Sequence, residues 1–318
     1  MKKLTRVEAA AFLAANDGFA ILTHRRPDGD TLGSAAALCR MLRKKGKTAH
    51  ILRNPEISDR FAWLHEGLTK EEAEENDTIV SVDVAAPRML PAIFEKYLGR
   101  IALRIDHHAS STSFTEQELV DPASAASAEL ICDLLSPMDY GEMEPELADA
   151  IYVGISTDTG CFRFANTTGR TFLCAAACAS GGARVYELNQ ELFETNTLGR
   201  LKMQAWIVTH MDVFAEGTMA VVAIPKTVER HIGVTEDDMD NISSFPRTVA
   251  GVRMAATLRE TADGDIKLSV RAVPGCDATL VAGAFGGGGH KGAAGASMKL
   301  PLSEAAAAVK QVLLEVGA

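Results

Sequence analysis

The chain has 318 residues, which is long enough for two domains that each bury a core of their own. Its 32 basic and 42 acidic residues give a net charge of −10, which argues against a protein that coats nucleic acid through a basic surface. We expect a cytoplasmic protein with reduced thiols and no membrane contact, because the six cysteines form no CxxC pair and no stretch is uncharged for long enough to span a bilayer.

Short apolar segments alternate with helical patterns through the first half of the chain. The spacing predicts strands at 19–23, 48–52, 78–82 and 101–105, and helices at 5–16, 32–45, near 87, 127–135 and 144–155. Buried strands separated by helices indicate an α/β fold, with a mostly parallel, doubly wound sheet covered on both faces.

The pattern changes after two further helical stretches, 170–182 and 184–194, and a connecting helix that ends near 210. From there the order is strand, strand, helix, strand, strand, and Gly217 and Asp263-Gly264 fit hairpin turns. We therefore predict a smaller α+β domain at the C-terminus. The expected division is a first domain at 1–186, a helical connector at 187–209 and a second domain at 210–318.

Acidic and imidazole side chains follow several of the predicted strands. They are His24, Asp28 and Asp30 after the first strand, Asp83, the run Asp106-His107-His108, and Asp158 in TDTG. A single Asp can be a helix cap or a turn residue, and Asp30 stands at an N-cap position. Caps and turns do not readily explain four such groups. We predict that they form one site, because ligands of open α/β sheets bind at the carboxyl ends of the strands. Gly29 would let the chain turn tightly, so that Asp28 and Asp30 converge.

These side chains favour a particular kind of metal centre. Carboxylates and imidazoles without cysteine suit manganese or magnesium better than a structural zinc ion. The set exceeds the needs of one ion, and a pair of ions can generate hydroxide and neutralise a phosphate. The chemistry predicted from the residues is hydrolysis of a phosphorus ester or anhydride.

A glycine-rich stretch, AFGGGGHKGAAG at 284–295, is the most distinctive feature of the second domain. It encloses His290 and Lys291 and lacks the GK[ST] ending of a Walker loop. A flexible linker is one interpretation. Because the run is short and lies inside a domain, we favour a loop whose backbone amides approach an anion.

In order and spacing, the residues from His24 to Asp158 resemble the four motifs of the DHH phosphoesterase superfamily. FGGGGHKGAAG resembles the glycine-rich motif of the associated C-terminal domain, so the resemblance covers essentially the whole chain. The two-domain length and the segment TDTGCFRFANTT are most similar to the nanoRNase group. These are bifunctional oligoribonucleases that also remove phosphate from 3′-phosphoadenosine 5′-phosphate (pAp).

The resemblance implies a role for each matching residue. One metal ion would be bound by His24, Asp28 and Asp83, and a second by Asp30, Asp83, His107 and Asp158. Asp106 would orient the histidines, and His108 would bind the phosphoryl oxygen or act as a general acid. A terminal phosphate would be held by Arg271 and His290, where the backbone of Gly286, Gly287, Gly288 and Gly289 comes close, with the active site in an interdomain cleft. Phe162 would either stack on a base or belong to the core.

The expected function is therefore a manganese-dependent phosphodiesterase, with magnesium as the other metal, that hydrolyses short RNA oligonucleotides and pAp through a hydroxide activated by two ions. Ala272 stands where the group often has serine, and Ser243 and Ser244 stand near where it frequently has asparagine, which bears on substrate preference. One alternative is a phosphodiesterase of a signalling nucleotide such as linear or cyclic di-AMP. Another is a non-catalytic nucleotide-binding protein, which a missing metal ligand would indicate. A homodimer is a further expectation, since homodimers are common for this architecture.

Overall fold

The apolar segments of the first half of the chain pair side by side in one sheet. The computed structural model describes residues 2–109, 112–239 and 241–316. The strands of this sheet are β1 (Lys2–Lys3), β2 (Phe19–Leu22), β3 (Ala49–Leu52), β4 (Thr69–Lys70), β5 (Thr78–Val82), β6 (Ile101–Asp106) and β7 (Gln117–Val120). Their spatial order is β1-β7-β6-β5-β2-β3-β4, and every pair is parallel. The predicted parallel α/β sheet is confirmed.

The two faces of this sheet are covered differently. The helices are α1 (Arg6–Ala15), α2 (Gly29–Lys44), α3 (Ser127–Leu134), α4 (Pro145–Asp158), α5 (Gly169–Ser180) and α6 (Val185–Asn189). Phe19 and Ile21 pack with residues of α2, α3 and α4, whereas Ala20 and Leu22 pack with Phe94 on the other face. This second face is covered by short 3-10 segments, Pro87–Met89 and Ala92–Arg100, where a helix was predicted. Pro91 explains the difference, because it holds the preceding residue in an extended conformation.

Helix α2 begins three residues earlier than its apolar pattern predicts. The N-cap is Asp28, whose carboxylate accepts hydrogen bonds from the backbone N–H groups of Asp30 and Thr31, both at 3.1 Å. The suggested N-cap role of Asp30 is therefore wrong, and Asp30 lies in the first turn of the helix. This position leaves the Asp30 carboxylate available for contacts with other parts of the fold.

Two glycines bring α2 and α4 into close contact. A Cβ atom on Gly33 of α2 would lie 2.3 Å from the carbonyl oxygen of Ala150 on α4, and one on Gly154 of α4 would lie 2.9 Å from Oδ1 of Asp30 on α2. Any larger residue at either position would push the helices apart. The contact matters because α2 carries Asp30 and α4 ends at Asp158.

The chain divides into two compact units, Met1–Thr195 and Asn196–Ala318. The second unit contains α7 (Leu198–His210), β8 (Asp212–Phe214), β9 (Met219–Ile224), α8 (Lys226–Ile232), β10 (Met254–Glu260), β11 (Ile266–Ala272), α9 (Ala278–Gly283), β12 (Gly288–His290), β13 (Ala293–Met298) and α10 (Leu302–Val316). Its sheet has the order β12-β13-β11-β10-β9-β8, and only the described pair β9 and β10 is parallel. The predicted α+β fold is confirmed. The functional boundaries near 186 and 210 stay a prediction.

The predicted hairpin turns are also confirmed. Gly217 joins β8 to β9 with φ +84°, and Gly264 joins β10 to β11 with φ +83°. Both angles lie in the left-handed region that glycine adopts without steric cost.

The longest helices fall short of the thickness of a bilayer. Helix α2 has 16 residues and α10 has 15, whereas crossing the hydrocarbon core takes about 20 residues. Within the described ranges, no helix is long and apolar enough to cross a membrane.

The substitution Gly33→Ala tests the close contact of α2 and α4. We expect it to lower the free energy of unfolding by about 1–3 kcal/mol, because the added methyl group would overlap the Ala150 carbonyl. Urea denaturation measures the change. Gly169→Ala is the matched control, since this helical glycine has open space around its Cβ position and should show no loss. Equal losses in the two variants would contradict the packing argument.

Candidate active site

The predicted site residues of the first unit lie where neighbouring strands end. Strands β6, β5 and β2 are adjacent in the sheet. His24 follows β2, Asp83 directly follows β5, and Asp106 is the last residue of β6. Because the strands are parallel, these side chains share one edge of the sheet.

The side chains at this edge form a cluster that could hold metal ions. Three groups have ligand atoms within 4.8 Å of one another: His24, Asp28 and Asp83; Asp30, His107 and Asp158; and Asp83, His107 and His108. The structure thus brings together all six residues predicted as metal ligands, with Asp83 in two of the groups. We call the seven residues in these groups the acidic-imidazole cluster.

Helix α2 and the end of α4 supply two carboxylates of the cluster. Asp30 accepts hydrogen bonds from the backbone N–H groups of Ser127 (2.7 Å) and Ala128 (2.9 Å), the first residues of α3. The expected reason for Gly29 is wrong, since its backbone is helical. Gly29 is needed because a Cβ atom would lie 2.4 Å from Oγ1 of Thr157, next to Asp158.

Two imidazoles present the same ring nitrogen to these carboxylates. Nδ1 of His24 lies 2.8 Å from the carbonyl oxygen of Arg25, and Nδ1 of His107 lies 3.3 Å from that of Ser124. A carbonyl only accepts, so Nδ1 carries the proton in each ring. Nε2 of His24 is then 3.4 Å from Asp83, and Nε2 of His107 is 3.2 Å from Asp158. This arrangement is typical of histidine ligands, whose second nitrogen is fixed by a backbone carbonyl.

Asp83 has an unusual backbone conformation. Its φ is +59°, in the left-handed region that non-glycine residues rarely adopt. The hydroxyl of Ser127 donates a hydrogen bond of 3.0 Å to its carboxylate. Strained backbone persists where the surrounding structure enforces it, and it concentrates at functional sites.

Several residues that support the cluster were not predicted from the sequence. They are Ser127, which contacts Asp83; Ser34, whose hydroxyl lies 3.1 Å from Asp30; and Asn54, whose amide donates to the carbonyl of His24 at 2.8 Å. In the sequence, a serine at the start of a helix or inside it is unexceptional, and asparagine after a strand is an ordinary turn residue. No local signal separates them from such residues.

The cluster carries negative charges in a largely buried environment. Burial and the charges of Asp83 and Asp158 raise the pKa of Asp30 well above its usual range. Burial opposes protonation of His24, but hydrogen bonds to Asp28 and Asp83 raise its pKa to about 11. Burial likewise opposes protonation of His107, yet Asp158, Asp30 and Asp83 raise its pKa to about 10. A divalent cation would take the place of these protons, so the donor set fits the metal ions expected here.

His108 differs from the other two histidines in its partner. Its Nδ1 donates a hydrogen bond of 2.8 Å to the buried carboxylate of Asp106. The backbone N–H of His108 donates to the same oxygen at 3.2 Å. The bond to Asp106 raises the pKa of His108 and leaves Nε2 for another partner.

In the second unit, Arg271 and His290 share one face of the sheet. Arg271 on β11 is paired with Ala293 on β13, which is paired with His290 on β12. Nε of Arg271 donates to the hydroxyl of Ser244 at 3.3 Å, and His290 is exposed on the edge strand. Ser244, noted as a departure from the group, is thus a direct partner of Arg271.

The glycine run is half of a β-hairpin, where a loop was expected. Residues 288–290 form β12, which is antiparallel to β13. A Cβ atom on Gly287 would lie 2.1 Å from the carbonyl oxygen of Gly295, and one on Gly289 would lie 2.6 Å from that of Ala293. Two of the four glycines are therefore required by the approach of the strands. Gly288, by contrast, has open space around its Cβ position.

Phe162 packs within the first unit. Its ring stacks on Phe172 with centroids 5.6 Å apart and lies 5.9 Å from the ring of Tyr152. The side chain is partly buried against the main core. These contacts favour the core alternative, and base stacking stays a prediction.

Comparisons with known proteins agree with this geometry. Residues 18–155 match the "DHH family, N-terminal domain", and residues 217–316 match the "DHHA1 domain". The bifunctional oligoribonuclease and PAP phosphatase NrnA of Thermus thermophilus is 32% identical over 315 residues, or 98% of this chain and 93% of that protein. The chain belongs to the DHH phosphoesterase family.

Two further comparisons with this DHH protein are informative. The cyclic-di-AMP phosphodiesterase PdeA of Listeria monocytogenes is 26% identical over 94% of this chain, but the match spans only 48% of PdeA. The crystal structure of an exopolyphosphatase-related protein from Bacteroides fragilis has a TM-score of 0.89 at 22% identity, covering 98% of this chain and 96% of that chain. At this identity the second comparison supports the fold alone.

Binding of Mn²⁺ should stabilise the DHH protein. At a free concentration about 100 times the Kd, binding adds about 2.7 kcal/mol to the free energy of unfolding. We expect Tm to rise on addition of Mn²⁺ and Asp158→Asn to reduce this rise, because the variant removes one charged ligand. Differential scanning calorimetry measures both.

Asp263→Asn is the control, since Asn suits the same exposed turn and the residue lies outside the cluster. Its rise in Tm should equal that of the wild type. An unchanged Tm in the wild type would contradict metal binding.

Proposed function

We propose that this protein is a divalent-metal-dependent phosphodiesterase that hydrolyses short RNA oligonucleotides and also removes a phosphate from pAp. The main support is that a complete set of carboxylates and imidazoles meets at the ends of β2, β5 and β6. The chain carrying this set is 32% identical, over 98% of its length, to a bifunctional oligoribonuclease and PAP phosphatase. Such an enzyme would act in the cytoplasm, where its six free thiols stay reduced.

In this proposal His24, Asp28 and Asp83 hold one ion, and Asp30, Asp83, His107 and Asp158 hold the other. Manganese is the proposed metal and magnesium the second choice, because the donors are oxygen and nitrogen atoms without thiolate. When bound, such a pair of ions supplies a hydroxide nucleophile and neutralises phosphate charge. Asp83 can serve both ions because its two oxygens face different histidines: Oδ2 lies 3.4 Å from His24 and Oδ1 lies 3.6 Å from His107.

His108 is the proposed proton donor. Asp106 holds its Nδ1, so the ring is fixed in orientation and its raised pKa favours the protonated form. Nε2 then donates a hydrogen bond to a phosphoryl oxygen or a proton to the leaving oxygen. Asp106 is buried and contacts His108 twice, which suits it to orient the ring.

Arg271 and His290 are proposed to bind the terminal phosphate of the substrate. Arginine suits this task because its planar fork of N–H groups matches phosphate oxygens. The two residues share one face of their sheet, and β12 is an edge strand whose outer backbone amides are unpaired in the sheet. A net charge of −10 gives little help in recruiting a long polyanion, which favours short substrates.

A substrate panel tests the proposed function. With Mn²⁺ present, we expect kcat/KM for RNA dinucleotides and for pAp to exceed that for a long single strand by at least about tenfold, equivalent to about 1.4 kcal/mol. Faster cleavage of the long strand would contradict the preference for short substrates. Loss of turnover in Asp83→Ala, with nucleotide binding retained, would exclude a non-catalytic binding protein.

Cyclic and linear di-AMP belong in the same panel. Their hydrolysis is the second candidate function, favoured by the similarity to PdeA. It ranks second because the match spans 48% of PdeA, against 93% of NrnA. A kcat/KM higher for cyclic di-AMP than for dinucleotides would reverse this order.

Arg271→Ala tests the phosphate-binding residue. We expect KM for pAp and for 5′-phosphorylated dinucleotides to rise at least about tenfold, because a charge-assisted pair contributes about 1.5–3 kcal/mol. Turnover of bis-p-nitrophenyl phosphate, which has no terminal phosphate, should stay the same. Steady-state kinetics measures both.

Lys267→Ala is the matched control. Lys267 is exposed, lies on the same strand as Arg271 and, four residues away, projects to the same face. A similar rise in KM in the control would mean that general surface charge, and not a specific contact, binds the phosphate.

A homodimer stays a prediction, for which sedimentation of the purified protein is the direct measurement.

A further inference from the structure

Arg104 is the largest fully buried side chain among the described residues, with an exposed fraction of 1%. It lies on β6, two residues before Asp106. Burying a guanidinium costs several kcal/mol, and a buried ion pair is weak evidence for stability. An apolar residue would fill this strand position at lower cost. The charge therefore calls for an explanation beyond packing.

The guanidinium binds two carboxylates from neighbouring positions. Nη2 lies 3.2 Å from Oε2 of Glu118, which is directly opposite Arg104 on β7. Nη1 lies 3.5 Å from Oδ2 of Asp106. Both carboxylates are buried, at 1% and 0% exposure, so neither ion pair is screened by solvent.

The same guanidinium also binds backbone next to the acidic-imidazole cluster. Nη1 faces the carbonyl oxygens of Val84 (3.4 Å) and Ala85 (3.2 Å), the two residues that follow Asp83. It also donates to the carbonyl of Thr112 at 3.2 Å, and the Phe114 ring lies 5.1 Å away. These bonds hold the backbone just after the left-handed conformation of Asp83.

One side chain thus connects two functional groups of the cluster. Through Asp106 it reaches His108, whose Nδ1 is 2.8 Å from the Asp106 carboxylate. Through the carbonyls of Val84 and Ala85 it reaches Asp83. Glu118 on the neighbouring strand β7 supports the guanidinium through a second ion pair.

We propose that Arg104 is a positioning residue of the active site, which acts through Asp106 on the imidazole of His108 and through the 84–85 backbone on Asp83. The proposal rests on the proposed function, from which His108 and Asp83 take their roles. It assigns Arg104 no contact with substrate.

Arg104→Lys is the test variant, because lysine keeps the positive charge but has no planar fork of donors. We expect kcat for a dinucleotide to fall at least about tenfold with KM changed less than about twofold, and the Kd for Mn²⁺ to rise about tenfold, as for other residues that support metal ligands. Isothermal titration with Mn²⁺ alone measures the second effect without turnover.

Arg170→Lys is the matched control. Arg170 also lies in an ion-pair cluster of the first unit, with Asp121, Asp133 and the buried Glu129, none of which belongs to the acidic-imidazole cluster. We expect the control to keep kcat and the Kd for Mn²⁺, whatever Tm it loses in the metal-free protein. Equal kcat losses in the two variants would overturn the proposal.

A double-mutant cycle tests whether Arg104 acts through Asp106. Asp106→Asn should lower kcat much less in the Arg104→Lys background than in the wild type, because the pathway to His108 is already broken. Additive losses would show that the two residues act independently and would overturn this part of the proposal.

Glu118→Gln decides the question if Arg104→Lys does not fold. It keeps the guanidinium but weakens its support from β7, so we expect kcat to fall at least about threefold with KM unchanged, as expected for a positioning effect. An unchanged kcat would overturn the proposal.

If the wild type does not hydrolyse nucleotides, the proposed function fails, while the Mn²⁺ titrations of the Arg104 and Arg170 variants still test the positioning role on Asp83.

Discussion

Repulsion among the carboxylates of Asp30, Asp83 and Asp158 is the constraint on which the site depends. Burial, followed by the charges of Asp83 and Asp158, raises the pKa of Asp30, so a folded chain without counter-charges would hold the three carboxylates together only at a cost. The fold offsets this repulsion with nearby hydrogen-bond donors. Nε2 of His107 lies between the three carboxylates, and the first N–H groups of α3 point at Asp30, where the helix dipole favours a negative charge. Divalent cations would complete the compensation.

Small residues let the helices that carry these carboxylates approach one another without steric overlap. Gly29 leaves room for Thr157, and Gly33 lets α2 approach the Ala150 carbonyl on α4. Helix α2 carries Asp30 and α4 ends at Asp158. The packing of these two helices in the core therefore sets the positions of both carboxylates in the site. Within the sheet, the buried guanidinium of Arg104 contacts both the backbone that follows β5 and Asp106 at the end of β6.

The second unit contributes a different chemistry. Its sheet places Arg271 and His290 on one face, with an edge strand built from the glycine run. In the proposed function, the first unit would cleave the bond and the second would bind the end of the substrate. Ser244 contacts Arg271 directly, which makes the departure from the group relevant to how the arginine is oriented.

The sequence by itself determined the parallel sheet, the hairpin turns and the residues that meet at the strand ends, because hydrophobic period, turn chemistry and the polar residues after each strand are local properties of the chain. The tertiary structure decided which aspartate caps α2, why Gly29 is glycine and that the glycine run forms an edge strand. It also decided that Phe162 packs against Phe172 and that Arg104 is buried behind the cluster. Each of these depends on atoms from segments distant in sequence, and no local pattern records such contacts.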